Sequence, residues 1–273
     1  MRVACVQITA GDDMAANVAA ACDGIRAAAG RGAEFITTPE NVTMMASSGR
    51  ETRANARRED DHPGLAAFRV AARDTRSWVL AGSLGIALPS GKVANRSFLI
   101  DAGGEIVARY DKIHMFDVEL PNGEVYRESA NFEPGAESVV VASPWGPVGL
   151  TVCYDLRFPH LYRALAQAGA VLITVPSAFT AVTGRAHWHV LLRARAIECG
   201  AFIVAPAQTG RHPGNRQTYG HSLVVAPWGE VLLDAGDERG VSVADIDLNK
   251  VAEARRSIPS LQHDRPFAAT RTA

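Results

Sequence analysis

Two periods of hydrophobic positions alternate along this chain. Residues 2–9 are apolar and β-branched and predict a first strand; residues 14–29 then carry Val18, Ala21, Cys22 and Ile25 at helical spacing, and Gly30 and Gly32 stop the helix. Residues 34–38 predict the next strand, which ends in Pro39-Glu40-Asn41. A charged stretch over 47–63 reads as a solvated loop or helix, followed by a helix over 65–73 and a strand over 78–83. Residues 93–110 predict two antiparallel strands turned at Asp101-Ala102-Gly103-Gly104. Beyond them come Asp111-Lys112-Ile113-His114 and a long irregular stretch as far as Pro134-Gly135, of a length usually kept for function.

The second half repeats the alternation. Residues 146–152 form a short apolar run bounded by turn residues and predict a buried strand, with Cys153 at its end. Leu161, Ala164, Leu165 and Ala168 recur at helical spacing between Pro159 and Gly169, so the unit is strand, sharp turn, helix. A strand over 171–175, a helix over 185–198 with Val190, Leu191, Ala194 and Ile197 inward, and a strand over 201–205 follow. Residues 208–219 read as a glycine-containing loop, 222–226 and 230–234 as a hairpin across Pro227-Trp228-Gly229, and 241–247 as the last strand. The tail from about residue 255, with Pro259 and Pro266, reads as irregular. Hairpins inserted in each half rule out a wholly parallel sheet and predict mixed sheets with helices packed outside them, a layered α/β protein.

Composition narrows the partners. No Gly/Ser/Pro-rich linker divides the 273 residues, so residues 1–273 are expected to form a single domain. The 28 basic and 29 acidic residues are mixed along the chain, which recommends neither nucleic acid nor an anionic membrane and points to a small-molecule ligand. Cys5, Cys22, Cys153 and Cys199 are widely spaced without a Cys-x-x-Cys pair, which favours a reducing cytoplasm over a disulfide scaffold or zinc cage. No apolar run is long enough to span a bilayer, and Met1-Arg2-Val3-Ala4 leads directly into strand-like sequence without a signal-peptide core.

Three ionisable residues fall at or just past predicted strand ends: Glu40, Lys112 and Cys153. Ligands of open α/β sheets bind beyond the carboxyl ends of strands, where residues distant in sequence meet. Together the three suffice for amide hydrolysis: a thiolate to attack, a carboxylate to carry the proton and an ammonium to steady the oxyanion. The helix after Cys153 is expected to lower its thiol pKa. Taken singly, a glutamate after a proline or a lysine beside a strand end is usually solvated, and a lone cysteine is usually packing, the reading preferred for Cys5, Cys22 and Cys199. His187 and His189 lie two apart on a helix and point away from each other, so no metal site is expected, and no phosphate loop is present; no cofactor is called for.

Three motifs, Thr38-Pro39-Glu40-Asn41, Tyr110-Asp111-Lys112-Ile113-His114-Met115-Phe116-Asp117 and Thr151-Val152-Cys153-Tyr154-Asp155-Leu156-Arg157-Phe158-Pro159, resemble in order and spacing those of the nitrilase superfamily of carbon–nitrogen hydrolases. The resemblance covers nearly the whole chain. It implies a four-layer αββα sandwich, a Glu40, Lys112, Cys153 triad, Glu128 as a further acidic residue holding Lys112 and the substrate, an oxyanion contact from the Tyr154 backbone N–H, and a homodimer or higher homo-oligomer. Tyr154 stands where nitrilases of the superfamily usually carry tryptophan, so an amide is favoured over a nitrile. The loop from Asp117 to Pro121, Glu128-Ser129 and the helix around His187 resemble the branch of deaminated glutathione amidases and omega-amidases, the former more. That branch implies carboxylated amides, with Arg157 positioned to pair with the carboxylate or else to form a structural salt bridge with Asp155. An omega-amidase acting on α-ketoglutaramate or ketosuccinamate, a carbamoyl-amide hydrolase and a catalytically silent interaction module are the alternatives.

Overall fold

A computed structural model of the chain describes residues 1–268. In chain order its elements are β1 (Arg2–Gln7), α1 (Met14–Gly30), β2 (Phe35–Thr37), α2 (Gly49–Asn55), α3 (Pro63–Thr75), β3 (Trp78–Ala87), β4 (Val93–Ile100), β5 (Ile106–Asp111), β6 (Asp117–Glu119), β7 (Val125–Arg127) and β8 (Val139–Val141). Then come β9 (Val148–Leu150), α4 (Pro159–Gln167), β10 (Leu172–Thr174), α5 (Ala181–Cys199), β11 (Phe202–Ala205), β12 (Thr209–Arg211), β13 (Gln217–Tyr219), β14 (Leu223–Val225), β15 (Val231–Asp234), β16 (Gly240–Asp245) and α6 (Asn249–Ser257). Short side chains and caps set the helix limits: Asp13 accepts from the Ala16 N–H to start α1, Thr180 accepts from the Thr183 N–H to start α5, and Gly200 at φ 53° ends α5.

Two six-stranded sheets carry the fold, in the orders β16-β1-β2-β3-β4-β5 and β15-β14-β11-β10-β9-β8. Each has three parallel central strands, β1-β2-β3 and β9-β10-β11, flanked by antiparallel strands on both sides. Alternation along β1 shows how the layers form: Val3 and Cys5 join the core shared with Val148, Leu150 and Ile173 of the other sheet, whereas Ala4 and Val6 face a second core with Ile25 of α1 and Phe68 of α3. On the far side, Trp188, Leu192 and Ala196 of α5 pack onto the second sheet. The result is the four-layer αββα sandwich with mixed sheets. Among the described residues no helix is long and apolar enough to cross a membrane.

Four sequence expectations change. The stretch after Lys112 is not irregular throughout, because β6 and β7 pair within it, and residues 208–219 form the β12–β13 hairpin rather than a loop. Such three-residue strands are too short to show a period. The inward face of α5 is Trp188, Leu192, Ala196 and Cys199, while Val190 and Ile197 are 68% and 51% exposed. With apolar side chains on both faces of this helix, periodicity alone did not select the buried one. Finally, α6 runs through residue 255 to Ser257, so the start of the tail is helical where it was expected to be irregular; from 258 to 268 only a 3-10 turn at Ser260–Gln262 interrupts the irregular chain, and residues 269–273 lie outside the described residues.

Candidate active site

The C-terminal ends of β2, β9 and β10 meet between the two sheets. Glu40 follows β2 in a turn pinned by backbone bonds from Thr38 N to Leu80 O (3.0 Å) and by Asn41 N to Ser83 Oγ (2.9 Å). Asn41 sits at φ 54°, and Gly82 of β3 lies so close that a Cβ there would be 1.9 Å from the Thr38 carbonyl oxygen. Lys112, 1% exposed, leaves the end of β5 with its N–H on Asn95 O (3.0 Å). Gly135 packs equally tightly there, its N–H donating to Lys112 O at 2.9 Å.

Cys153 stands three residues beyond the end of β9, at φ 49°, with its N–H on Pro176 O (3.0 Å), and opens a 3-10 turn that leads into α4. Fully buried Asp155 holds that turn. Its Oδ2 accepts from the Val152 N–H (2.9 Å) and the Tyr110 hydroxyl (2.6 Å), and its Oδ1 accepts from the His114 N–H (3.1 Å) and lies 2.7 Å from His114 Nδ1. The Asp155 carboxylate and burial together push the Tyr110 hydroxyl far above its usual pKa.

Around the Lys112 ammonium the carboxylates converge. Nζ donates to Glu40 Oε1 (3.0 Å) and to Glu128 Oε1 and Oε2 (2.9 and 2.8 Å). Asn95 Nδ2 bridges Glu40 Oε1 (2.9 Å) and Glu128 Oε1 (3.2 Å), the Phe116 N–H donates to Glu128 Oε2 (2.6 Å), and the Ala178 N–H donates to Glu40 Oε2 (2.9 Å). Asn95 opens the polar run Asn95-Arg96-Ser97 inside β4, so nothing in the sequence set it apart from its two polar neighbours. Burial raises the Glu40 pKa, but the Lys112 and Arg216 charges and a hydrogen bond from the Cys153 thiol outweigh it and hold the carboxyl below its ordinary range. Burial lowers the Lys112 pKa, yet Glu128 and Glu40 more than reverse that, so the ammonium is held charged.

The thiol departs from expectation. Burial first, and then the Glu40 charge, push Cys153 well above an ordinary thiol, with only partial relief from Lys112. The low pKa anticipated from the helix is therefore overturned. The turn between Cys153 and α4 keeps the α-helical N-terminus six residues away, and the Glu40 charge acts on the thiol more strongly than the Lys112 charge. The resting pair is a thiol beside a carboxylate.

Glu40, Lys112, Glu128 and Cys153 line one cavity of about 650 Å³, together with Tyr154 and Arg216. The Tyr154 ring packs edge-on to Phe116 at 5.1 Å, and its backbone N–H has no protein acceptor among the described residues. Arg157 is not among the lining residues: its guanidinium lies 3.3 Å from His187 Nδ1 and over the Phe179 ring at 5.4 Å, and Asp155 is engaged elsewhere. Arg216, in the segment read as a loop, was missed; a basic residue in a polar loop carries no signal of its own. Outside the cavity, His189 and His221 each contact an Asp234 oxygen, at 2.9 and 2.8 Å.

A thiol, a carboxylate and an ammonium in one cleft between two α/β layers are the groups that hydrolysis of an acyl–nitrogen bond requires. The sequence matches the family Carbon-nitrogen hydrolase over residues 2–256, and the chain belongs to that family. It is similar to the deaminated glutathione amidase of Synechocystis, 39% identical over 265 residues that cover 95% of this chain and 96% of the relative. Among solved structures it is similar to the C. elegans NitFhit protein, with 37% identity and a TM-score of 0.89 over 97% of this chain, which spans 65% of that one. It is also similar to an amidase variant from Nesterenkonia sp. AN1 with acrylamide added at its active-site cysteine, at 28% identity and TM-score 0.79, covering 95% of this chain and 98% of that one. The protein is a cysteine-dependent amidase.

Proposed function

We propose that Cys153 is the nucleophile of this amidase, Glu40 its general base and acid, Lys112 and the Tyr154 N–H its oxyanion donors, and Glu128 the group that orients Lys112. As the sulfur attacks the amide carbon, the thiol proton passes to Glu40, which suits a thiol held neutral at rest. Glu128 can take a single N–H of Lys112 across both its oxygens, which leaves an N–H for the oxyanion. The carbon–nitrogen bond then breaks, the departing nitrogen takes the proton from Glu40, and an acyl-thioester remains. Water, deprotonated by Glu40, attacks the thioester carbon; the acid is released and the sulfur recovers its proton. The convergence of Glu40, Lys112, Glu128 and Cys153 on one cavity carries this reading.

The substrate we propose is a small carboxylated amide like deaminated glutathione, acting within a single carbon–nitrogen hydrolase domain. The names of the relatives support it, as does a cavity large enough for a peptide-sized acid. Four buried, unpaired cysteines suit a cytoplasmic setting. We further propose a homodimer or higher homo-oligomer, supported by an outward apolar patch of Val190 and Ile197 on α5 with Trp228 beside them.

The test offers deaminated glutathione, α-ketoglutaramate and a simple nitrile to wild type and to Cys153→Ala, with amine or ammonia release as readout. Turnover of deaminated glutathione by wild type alone is expected. Faster turnover of α-ketoglutaramate would move the assignment to an omega-amidase, and turnover by folded Cys153→Ala would end the role given to the thiol.

A further inference from the structure

Among the cations near the cavity, one guanidinium is left without an acid. Lys112 is committed to Glu40 and Glu128, and Arg127 pairs with Glu119 at 2.6 Å. Arg216 lines the cavity and forms no ion pair among the described residues; its only protein acceptor is the Ala178 carbonyl, 2.7 Å from Nη2. Its Nε is buried with no partner at all. An uncompensated guanidinium is unfavourable, and with Nε closed off, the Nη1 N–H groups, which have no protein acceptor among the described residues, are the donors left for a ligand in the cavity.

The surroundings say what that is. The Tyr126 ring centroid lies 5.3 Å from the guanidinium carbon and steadies it, and with one Nη2 N–H on Ala178 O the Nη1 N–H groups and the second Nη2 N–H remain as the terminal fork that can meet a carboxylate end-on. The hairpin that carries Arg216 is itself anchored, by His212 between Ala10 O (2.8 Å) and Thr218 Oγ1 (2.7 Å), so the fork is preorganised. One residue joins it to the reacting groups: Ala178 accepts from Arg216 on its carbonyl and donates its N–H to Glu40. We propose that Arg216 is the residue that binds the substrate carboxylate, so that the fork of Arg216, and not Arg157, selects carboxylated over neutral amides. This deepens the reading above and rests on it for the amide to be cleaved.

The test compares glutaramate with pentanamide, which differ only in a carboxylate replaced by a methyl group. Wild type is expected to favour glutaramate. In Arg216→Met the ratio of the two kcat/KM values should fall roughly 10- to 100-fold, the loss of a charge-assisted pair, chiefly through KM for glutaramate. Arg216→Lys should recover part of it, and Arg157→Met should leave the ratio in place. An unchanged ratio in Arg216→Met, a collapse in Arg157→Met, or equal losses on both amides with a displaced acid limb would overturn the assignment, the last by showing that Arg216 acts only through the charge on Glu40. Glutarate binding, measured by calorimetry in Cys153→Ala and Cys153→Ala/Arg216→Met, reads the fork without turnover. A tenfold or greater loss of affinity supports it and equal affinities overturn it, even should wild type cleave neither amide, an outcome that counts against the amidase substrate and not against the fork.

Discussion

Acidity does not single out Cys153, the nucleophile proposed above, from the other cysteines of this chain; position does. Burial raises the pKa of Cys5 and of Cys199 to about 12, and it also raises Cys22 and Cys153. Only Cys153 lines the cavity and faces a carboxylate kept ionised for it. Because the Glu40 pKa is lowered from 4.5, the base stays charged as pH falls through the ordinary carboxylate range, and the acid limb of kcat/KM in wild type should lie below 4.5. Lys112→Met removes the larger of the two cationic influences and leaves burial to push Glu40 up. Its acid limb should move up relative to wild type, with a rate loss of roughly 100- to 1,000-fold from loss of the oxyanion donor proposed above. Glu128→Gln removes a like charge from the same cluster and should shift the limb the other way. A pH–rate profile of the two variants on one amide checks both signs, and limbs moving in the same direction would contradict this account of the cluster.

At the scale of elements, the site depends on close backbone approaches. Gly82→Ala would put a Cβ 1.9 Å from the Thr38 carbonyl oxygen and 2.5 Å from that of Pro39, so β3 and the Glu40 turn must separate. The expected outcome is about 1–3 kcal/mol of lost stability by denaturant unfolding, with kcat reduced well beyond that because the base is displaced. Gly11→Ala, with open space around it, is the neutral control. Elements with a strong period were legible in the sequence: β1, α1, the β4–β5 hairpin and the strand–turn–helix around Cys153 all stand close to where alternation and helical spacing put them. The three-residue strands β6, β7, β12 and β13 were not, since they hold together through tertiary contacts. The same limit applied to side chains. Glu40, Lys112 and Cys153 were conspicuous at strand ends, but Asn95, Asp155 and Arg216 become informative only once folding brings their partners within 3.2 Å.

At the scale of the molecule, the face of α5 that periodicity favoured as buried is instead turned outward. Val190 and Ile197 lie seven residues apart on one helical face, Ile197 abuts Gly229 in the β14–β15 turn, and Trp228 in that turn is 63% exposed. The Arg193 side chain donates from Nε to the Gly229 carbonyl (2.8 Å), which ties helix and turn into one rigid surface. Large apolar side chains grouped in this way are unfavourable in water and typify the centre of an interface. On the homo-oligomer proposed above, the pattern that reads as a core stripe in the sequence would be completed between two copies. Ile197→Asp and Trp228→Ser should each shift the protein towards monomer in sedimentation velocity, and the double variant should be monomeric at micromolar concentration. None of Val190, Ile197 and Trp228 lines the active-site cavity, and all three are exposed, so the monomer should keep its fold, as judged by circular dichroism. An unaltered oligomer in the double variant would place the interface on another face and leave this patch without a partner.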